Sequence, residues 1–491
     1  MAVEHFDVVI VGAGLSGIGM ACRLVRERPG ARFAVLESRS DLGGTWDLFR
    51  YPGFRSDSDM HTLGYRFRPW RHAATMPSGQ AILAYLRDTA DEEGITGRIR
   101  FRHRVVRAEW SGERRRWALD VEVAGGGETS RCTAGFLVMC TGYFRYDRGY
   151  SPELPGVERF AGPVVHPQAW PDDLDWTDRR VVVVGSGATA VTLVPALADR
   201  AAHVTMVQRS PGYVLALPAE DAVARALLRG LPERVAHPLI RWKNILLSTA
   251  LYQVSRRFPR LVRRLHRAAA VSGLPEGYAV DVHFNPRYDP WDQRMCMVPD
   301  GDLFRVIREG KASVTTDRIA GFTPTGVRLA SGGEVPADVV VTATGLELSL
   351  FGGTALAVDG RQVVLRDTAA YRGMMLGDVP NLVYTIGYTN ASWTLKVDLV
   401  AKYFLRLLRH MDAHGYDVAT PTYTDPEPAR EPFLDFPAGY VLRALDELPR
   451  QGGRAPWRSA MNYLVDSVAL RWGRVDEAMV FTGARTTRVR S

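Results

Sequence analysis

Residues 6–17 read Phe-Asp-Val-Val-Ile-Val-Gly-Ala-Gly-Leu-Ser-Gly. The apolar run to Val11 is short and ends in glycine, the pattern of a buried parallel strand. Helical spacing follows from Leu15 to Arg28. Phe33 to Leu36 is a second apolar run, closed by Glu37. Strand, glycine turn, helix, strand and acid make one βαβ unit. In Gly12-Ala13-Gly14-Leu15-Ser16-Gly17 the first glycine allows the tight turn, the second lets backbone approach a pyrophosphate, and the third lets helix pack on strand. The helix N-terminus offers unpaired N–H groups and a partial positive charge to phosphates. Glu37 is placed to accept hydrogen bonds from a ribose diol and would repel a 2′-phosphate, so the site suits FAD or NAD. The plainer alternative is a glycine-rich turn without a ligand.

A second unit starts at Arg180. Val181 to Val184 is its strand, Gly185-Ser186-Gly187-Ala188-Thr189-Ala190 a GxGxxA turn, Thr189 to Ala198 its helix and His203 to Val207 the next strand. That strand ends in Gln208-Arg209-Ser210, with no acid in the slot Glu37 fills in the first unit. Arg209 can pair with a 2′-phosphate, which favours NADPH over NADH; otherwise it is a solvated surface charge. Phe101 to Val123 alternates as an antiparallel excursion would. Phe136 to Cys140 and Val339 to Val341 are buried strands ending at Thr141-Gly142 and Ala343-Thr344-Gly345, plausible crossings between two nucleotide domains. From Val223 to Ala270 the spacing is helical and rich in arginine. Residues 420–460 are rich in Pro and Gly and read as loops, and the residues after Gly483 as a frayed end. The expected architecture is α/β: two Rossmann-like dinucleotide-binding domains, one for FAD and one for NADPH, with a helical insert. The expected boundaries are 1–145 for the first part of the FAD domain, 146–215 for the first part of the NADPH domain and 216–289 for the insert. The NADPH domain resumes over 290–345, and 346–491 returns to the FAD domain and the C-terminal region.

At about 150 residues per domain, the 491 residues suggest two or three domains. Hydrophobic residues form 46% of the chain, enough for a large core. The net charge of +8 suits a protein holding two phosphate-rich cofactors as well as it suits an anionic surface. None of the four cysteines forms a CxxC pair or has metal-ligand spacing with histidines, so no metal site is expected. That usage fits a reducing compartment. The N-terminus, with Glu4 and Asp7, enters a strand directly, and no apolar run reaches membrane-spanning length. The expectation is a cytoplasmic protein. The arginine-rich helices read either as an insert over the site or as a basic surface making peripheral contact with the inner face of a membrane. Nucleic-acid binding has no motif support.

Between the two units, Phe160-Ala161-Gly162-Pro163-Val164-Val165-His166-Pro167-Gln168-Ala169-Trp170-Pro171 has the form FxGxxxHxxxWP. Gly43-Gly44-Thr45-Trp46, with Tyr51-Pro52-Gly53 and Asp57, has the form GGxWxxxxYPGxxxD. Both signatures, in this order, resemble those of type I Baeyer–Villiger flavin monooxygenases. The stretches 43–70, 185–209, 290–304 and 387–398 are similar to the ethionamide-activating branch of that family and extend the likeness over nearly the whole chain. The resemblance implies an enzyme with FAD and NADPH as cofactors. It would insert one atom of O2 into small-molecule ketones to give esters or lactones, and would oxidise sulfides or thioamides.

The resemblance also implies roles. Arg294, in Trp291-Asp292-Gln293-Arg294, matches the family's catalytic arginine. A fixed cation stabilises negative charge on reduced flavin and on the oxygen of an attacked carbonyl. Asp57 matches the acid that holds this arginine; from the sequence alone the two would be an ordinary structural ion pair. His166 is implied to communicate between the cofactors as the domains rotate, with Trp170 as an anchor. Gly44, Trp46 and Tyr51 are implied to lie against the flavin, although aromatic residues at this density are usually core. Gly387 to Trp393 opens a helix, where Thr389 and Asn390 are candidate flavin contacts, or Asn390 or Ser392 simply caps the helix, and Trp393 is a candidate pocket wall. Three competing readings remain: a flavin-containing N- or S-hydroxylase, whose fingerprint usually lacks the final Trp-Pro; a disulfide reductase, which the missing CxxC opposes; and a catalytically silent NADPH-binding flavoprotein.

Overall fold

The computed structural model describes residues 3–124, 128–424, 427, 429–434 and 438–483. The frayed end expected after Gly483 lies outside these residues. Strand β1 (Glu4–Val11), helix α1 (Leu15–Glu27) and strand β2 (Phe33–Leu36) form the first βαβ unit. β1 pairs in parallel with β2, Val8 opposite Phe33 and Val11 opposite Leu36. The alternate residues of these strands feed two separate cores. Val8 and Ile10 pack under α1, while Val9 and Val11 pack on the other face of the sheet. Both faces are covered, so the strand is apolar almost throughout instead of alternating.

The same sheet extends through β3 (Ile99–Arg100) at one edge and, on the other side, through β6 (Glu128–Met139), β5 (Arg116–Val123) and β4 (His103–Ser111). β4, β5 and β6 form the antiparallel excursion. β6 then lies parallel to β1, which carries Cys140 and Thr141 to the first glycine turn.

The second unit lies in a five-stranded sheet. It contains β7 (Val164–Val165), β8 (Arg180–Val184) and, after α2 (Ala188–Leu197), β9 (His203–Gln208). Two later strands complete it. β11 (Ala312–Thr316) pairs in parallel with β9, and β12 (Val339–Thr342) lies between β8 and β7. Between β9 and β11 the chain makes the helices α3 (Ala222–Gly230), α4 (Glu233–Arg257) and α5 (Pro259–Gly273), then strand β10 (Cys296–Pro299). After β12 the chain returns to the first sheet: β13 (Ala355–Val358) pairs with β4 and β14 (Leu382–Tyr384) with β6. Helix α6 (Trp393–His414) packs against α1, and α7 (Tyr463–Trp472) packs on α6. The described residues of 420–460 are mostly irregular, with short pieces of strand and a turn of helix at Gly439–Leu442.

No helix among the described residues is long and apolar enough to cross a membrane. All four cysteines are free and buried. Burial pushes the thiols of Cys22, Cys140 and Cys296 up to about 12 and that of Cys132 to about 11.

Candidate active site

Both glycine turns open into one cleft of about 1570 Å³. In the first, Gly12 has φ +101° and an added Cβ would stand 2.6 Å from the Cys140 carbonyl oxygen. A Cβ at Gly17 would lie 1.8 Å from the Gly12 carbonyl oxygen, so the turn and the helix can close only on glycine there. A Cβ added at Gly14 would stand 3.6 Å from the Gly44 Cα, and both glycines line the cleft. The buried Glu37 carboxylate accepts from the amides of Ala13 (2.7 Å) and Arg39 (2.8 Å). The Ser38 hydroxyl also donates to Oε1 (3.3 Å), and Oε2 keeps a further lone pair for a hydroxyl. This donor set fits a ribose diol and the pyrophosphate of FAD.

The second turn repeats the first in steric terms. Gly185 has φ +141°, and its Cβ would lie 2.3 Å from the Ala343 carbonyl oxygen. At Gly187 a Cβ would meet nothing within 4 Å, so that turn faces open cleft. Ser186 donates to the Ser210 carbonyl (3.2 Å), which ties the turn to the end of β9. Thr189 lines the cleft and hydrogen-bonds Tyr51, while Ala190 is buried in the helix–strand contact. Arg209 lines the same mouth, is exposed, and has no hydrogen bond or ion pair among the described residues. An open glycine turn beside an unpaired guanidinium fits a 2′-phosphorylated dinucleotide.

Arg294 and Asp57 meet between the two turns. The guanidinium grips the carboxylate with both arms, Nε to Oδ2 at 2.8 Å and Nη2 to Oδ1 at 2.9 Å. About a third of each side chain is exposed, on the cleft. The Asp57 charge raises the Arg294 pKa further, although burial opposes this. The hydroxyls of Tyr143 and Tyr440 are hydrogen-bonded to each other, and both sense the charges of Arg294 and Asp57. Burial raises the pKa of both, so they stay protonated. The Trp393 indole stacks on Tyr143 (5.1 Å, 12°) and donates to Ser16 Oγ at 2.8 Å. Trp393 thereby ties α6 to the first turn of α1. An added Cβ at Gly387 would stand 2.4 Å from Trp393, so glycine there makes room for the indole.

Of the residues singled out in the sequence, Gly12, Gly14, Glu37, Gly44, Trp46, Tyr51, Asp57, Gly185, Ser186, Gly187, Thr189, Arg209, Arg294 and Trp393 line this cleft, while Gly17 and Ala190 lie behind it in the helix–strand contacts. Trp46 is stacked on Phe54 (5.2 Å, 28°). His166, Thr389 and Asn390 are not among its lining residues. His166 has both ring nitrogens engaged: Nε2 faces the Gly345 carbonyl at 3.2 Å and Nδ1 accepts from the Gln168 amide at 3.2 Å. Asn390 donates to the Met461 carbonyl (3.2 Å). Ser392 is the N-cap of α6 but makes no capping bond, its hydroxyl pairing with Thr62 instead. Trp170 packs edge-on against Trp176. The sequence reading missed Tyr143 and Tyr440. Tyr143 directly follows the strand-ending Thr141-Gly142, a position that could have marked it; Tyr440 lies in the short helical turn Gly439–Leu442, which carries no sequence signal.

Residues 6–231 match the model of the family described as "Pyridine nucleotide-disulphide oxidoreductase". The FAD-containing monooxygenase EthA of Mycobacterium tuberculosis is 53% identical over 475 residues, which cover 96% of this chain and 97% of EthA. The probable FAD-binding monooxygenase AlmA of Acinetobacter baylyi is 44% identical, with 99% of this chain and 98% of AlmA covered. Among solved structures, oxidized steroid monooxygenase bound to NADP superposes with a TM-score of 0.78 at 20% identity, covering 98% of this chain and all of that one. The closed form of cyclohexanone monooxygenase gives 0.69 at 20% identity, with 86% and 87% covered. The chain belongs to the FAD-containing monooxygenases.

Proposed function

We propose that the protein is an NADPH-dependent Baeyer–Villiger monooxygenase that also oxidises sulfides and thioamides. The observation that carries this reading is the two-armed Arg294–Asp57 pair in a cleft shared by two nucleotide sites. In balance, a ketone, O2, NADPH and a proton give an ester, water and NADP⁺. Bound FAD, once reduced, supplies the activation of O2.

The chain's own residues position and stabilise. Glu37 and the first turn hold the ribose and pyrophosphate of FAD; Arg209 and the second turn hold NADPH. Arg294 presents a permanent cation to the oxyanion that develops on an attacked carbonyl, and Asp57 fixes its orientation. Tyr143 and Tyr440 are held protonated and paired with each other, which leaves one hydroxyl proton of the pair to donate beside it. Trp393 and the buried Phe351 form apolar walls that exclude water. His166 acts from outside the cleft, by steadying Gly345 at the end of the second sheet's β12. Thr389 and Asn390 act through the turn that delivers Trp393.

The test is turnover with a simple ketone under ¹⁸O2, reading NADPH consumed and ester formed. Labelled ester in proportion to NADPH supports the reading. Oxidation of sulfides but of no ketone would replace it with the hydroxylase reading, and NADPH consumption with only hydrogen peroxide formed would leave a flavoprotein without oxygenation.

A further inference from the structure

Helix α4 turns an apolar stripe to solvent. Val235, Leu239, Trp242 and Leu246 are all exposed, while Ala236, Ile240 and Ile245 between them are buried. Their spacing of four, three and four residues confines them to an arc of roughly 60° at 100° per residue. The next helix repeats the pattern: Phe258, Leu261 and Leu265 are exposed, and Val262, His266 and Ala270 face inward. The Trp242 ring lies 6.3 Å from that of Tyr463, the first residue of α7. The outer side of α7 carries Val465, Val468 and Trp472, the last of them 70% exposed. Single exposed apolar residues are ordinary, but three adjoining helices presenting Leu, Phe and Trp together are not.

The charge on these helices is one-sided. Residues 222–273 contain eleven Arg and Lys and one acid, Glu233. Some are paired with acids, as in Lys243–Asp221, Arg256–Asp292 and Arg267–Asp281, and Arg241 donates to the His61 and Gly64 carbonyls. Arg229, Arg234, Arg257, Arg260 and Arg264 have no acidic partner among the described residues. Arg260 and Arg264 flank Leu261 and Leu265 on α5, and Arg257 lies over the Phe258 ring at 6.0 Å.

We propose that α4, α5 and the outer side of α7 form a docking surface for an anionic lipid bilayer. The exposed Leu, Phe and Trp side chains enter the headgroup–acyl boundary, and the unpaired arginines pair with lipid phosphates. Charge complementarity selects this occupant: a second copy of the chain would bring two strongly basic faces together, and a nucleic acid would leave the apolar stripe in water. The inner sides of the same helices reach the active site. Arg256 pairs with Asp292 at 2.6 Å, Arg263 donates to the Pro286 carbonyl at 3.1 Å, and Tyr252 packs edge-on against Trp291. Those partners lie in the segment leading into Arg294. Given the oxygenase reading above, the docked enzyme takes lipophilic substrates that partition into the bilayer.

The test is flotation of the oxidised holoenzyme with phosphatidylcholine vesicles containing about one-third phosphatidylglycerol, at about 0.15 M salt. Binding to these and not to pure phosphatidylcholine, weakened at about 1 M salt, is the expected result. Arg257→Gln/Arg260→Gln/Arg264→Gln lowers partitioning about 100-fold. Leu239→Ser/Leu246→Ser/Leu265→Ser lowers it at least about tenfold. Unchanged FAD content and thermal unfolding in both variants show that the fold is intact. Equal binding to neutral vesicles, or no flotation, overturns the proposal; so does a concentration-dependent dimer that the serine variant dissolves, which makes the stripe a self-association face. Flotation is read without turnover, so a protein that floats but makes no ester refutes the oxygenase reading alone.

Discussion

Replacing Asp57 by Asn tests how Arg294 is held. The substitution keeps the side chain's shape and one acceptor oxygen, and turns an N–H₂ group toward a guanidinium that offers only donors. One of the two Arg294 contacts, at 2.8 and 2.9 Å, is therefore lost. A hydrogen bond to a charged group contributes about 1.5–3 kcal/mol, and the lower end applies because about a third of each partner is exposed to the cleft. About 1.5–2 kcal/mol of positioning converts to a fall in kcat of roughly 10- to 30-fold. The KM for NADPH stays within about twofold, because the loss falls on the reacting centre and not on uniform binding. The assay is steady-state turnover with ester and hydrogen peroxide both quantified, alongside thermal unfolding to confirm the fold. The peroxide fraction rises as ester formation falls. Arg294→Lys keeps the charge and loses the fork, and falls by a similar factor. An Asp57→Asn enzyme that makes ester at the full rate refutes the positioning role; a raised KM with kcat intact refutes it in favour of simple binding.

Arg209→Ala raises the KM for NADPH about 10- to 100-fold and leaves that for NADH nearly unchanged, the loss of one charged contact to a 2′-phosphate; equal effects on both cofactors would show that it reads no phosphate. Gly17→Ala gives protein without flavin, because its Cβ would stand 1.8 Å from a backbone oxygen. Gly187→Ala folds and binds FAD normally and loses only NADPH affinity, since its Cβ meets no protein atom within 4 Å; flavin content by absorbance and nucleotide titration separate the two. Burial lowers the His266 pKa from 6.5 to about 4. Protonation therefore favours the unfolded chain, and the stability this residue contributes is complete above pH 6.5 and lost as pH falls toward about 4, about 3 kcal/mol in full. Thermal unfolding against pH should show that acid loss, and His266→Phe should remove this residue's share while His61, His166, His237 and His283, also lowered by burial, keep theirs.

Both βαβ units could be read in the sequence because everything that defines them is local: strand, turn, helix and terminal residue fit within about 30 residues. Phe33–Leu36 occurs as read, and α1 ends one residue early. The Arg294–Asp57 pair is another matter. Asp57 and Arg294 are 237 residues apart, and only the family likeness joined them. Tyr440 enters the cleft from the single helical turn Gly439–Leu442, too short to show a period in the sequence, so its place depends on packing that no local pattern encodes. Thr389 and Asn390 lie near the right turn, but its direction is set by Trp393 seating over Gly387 and by Met461 accepting from Asn390. The amphipathic spacing of α4 and α5 was legible; which of their faces the body would leave bare was not.

The four sheltered thiols bear on the enzyme's own durability. Oxidants attack the thiolate, and a thiol held at about 11–12 is almost never ionised near neutrality. Cys296 lines the very cleft in which O2 would be activated, two residues from Arg294, yet it is as strongly protonated as Cys22 in the depth of the first core. Stray peroxide from an abortive turnover therefore meets inert sulfur. A preparation worked hard without added reductant should lose flavin or oxidise the half-buried methionines Met76, Met297 and Met461 before it gains a single sulfenic acid.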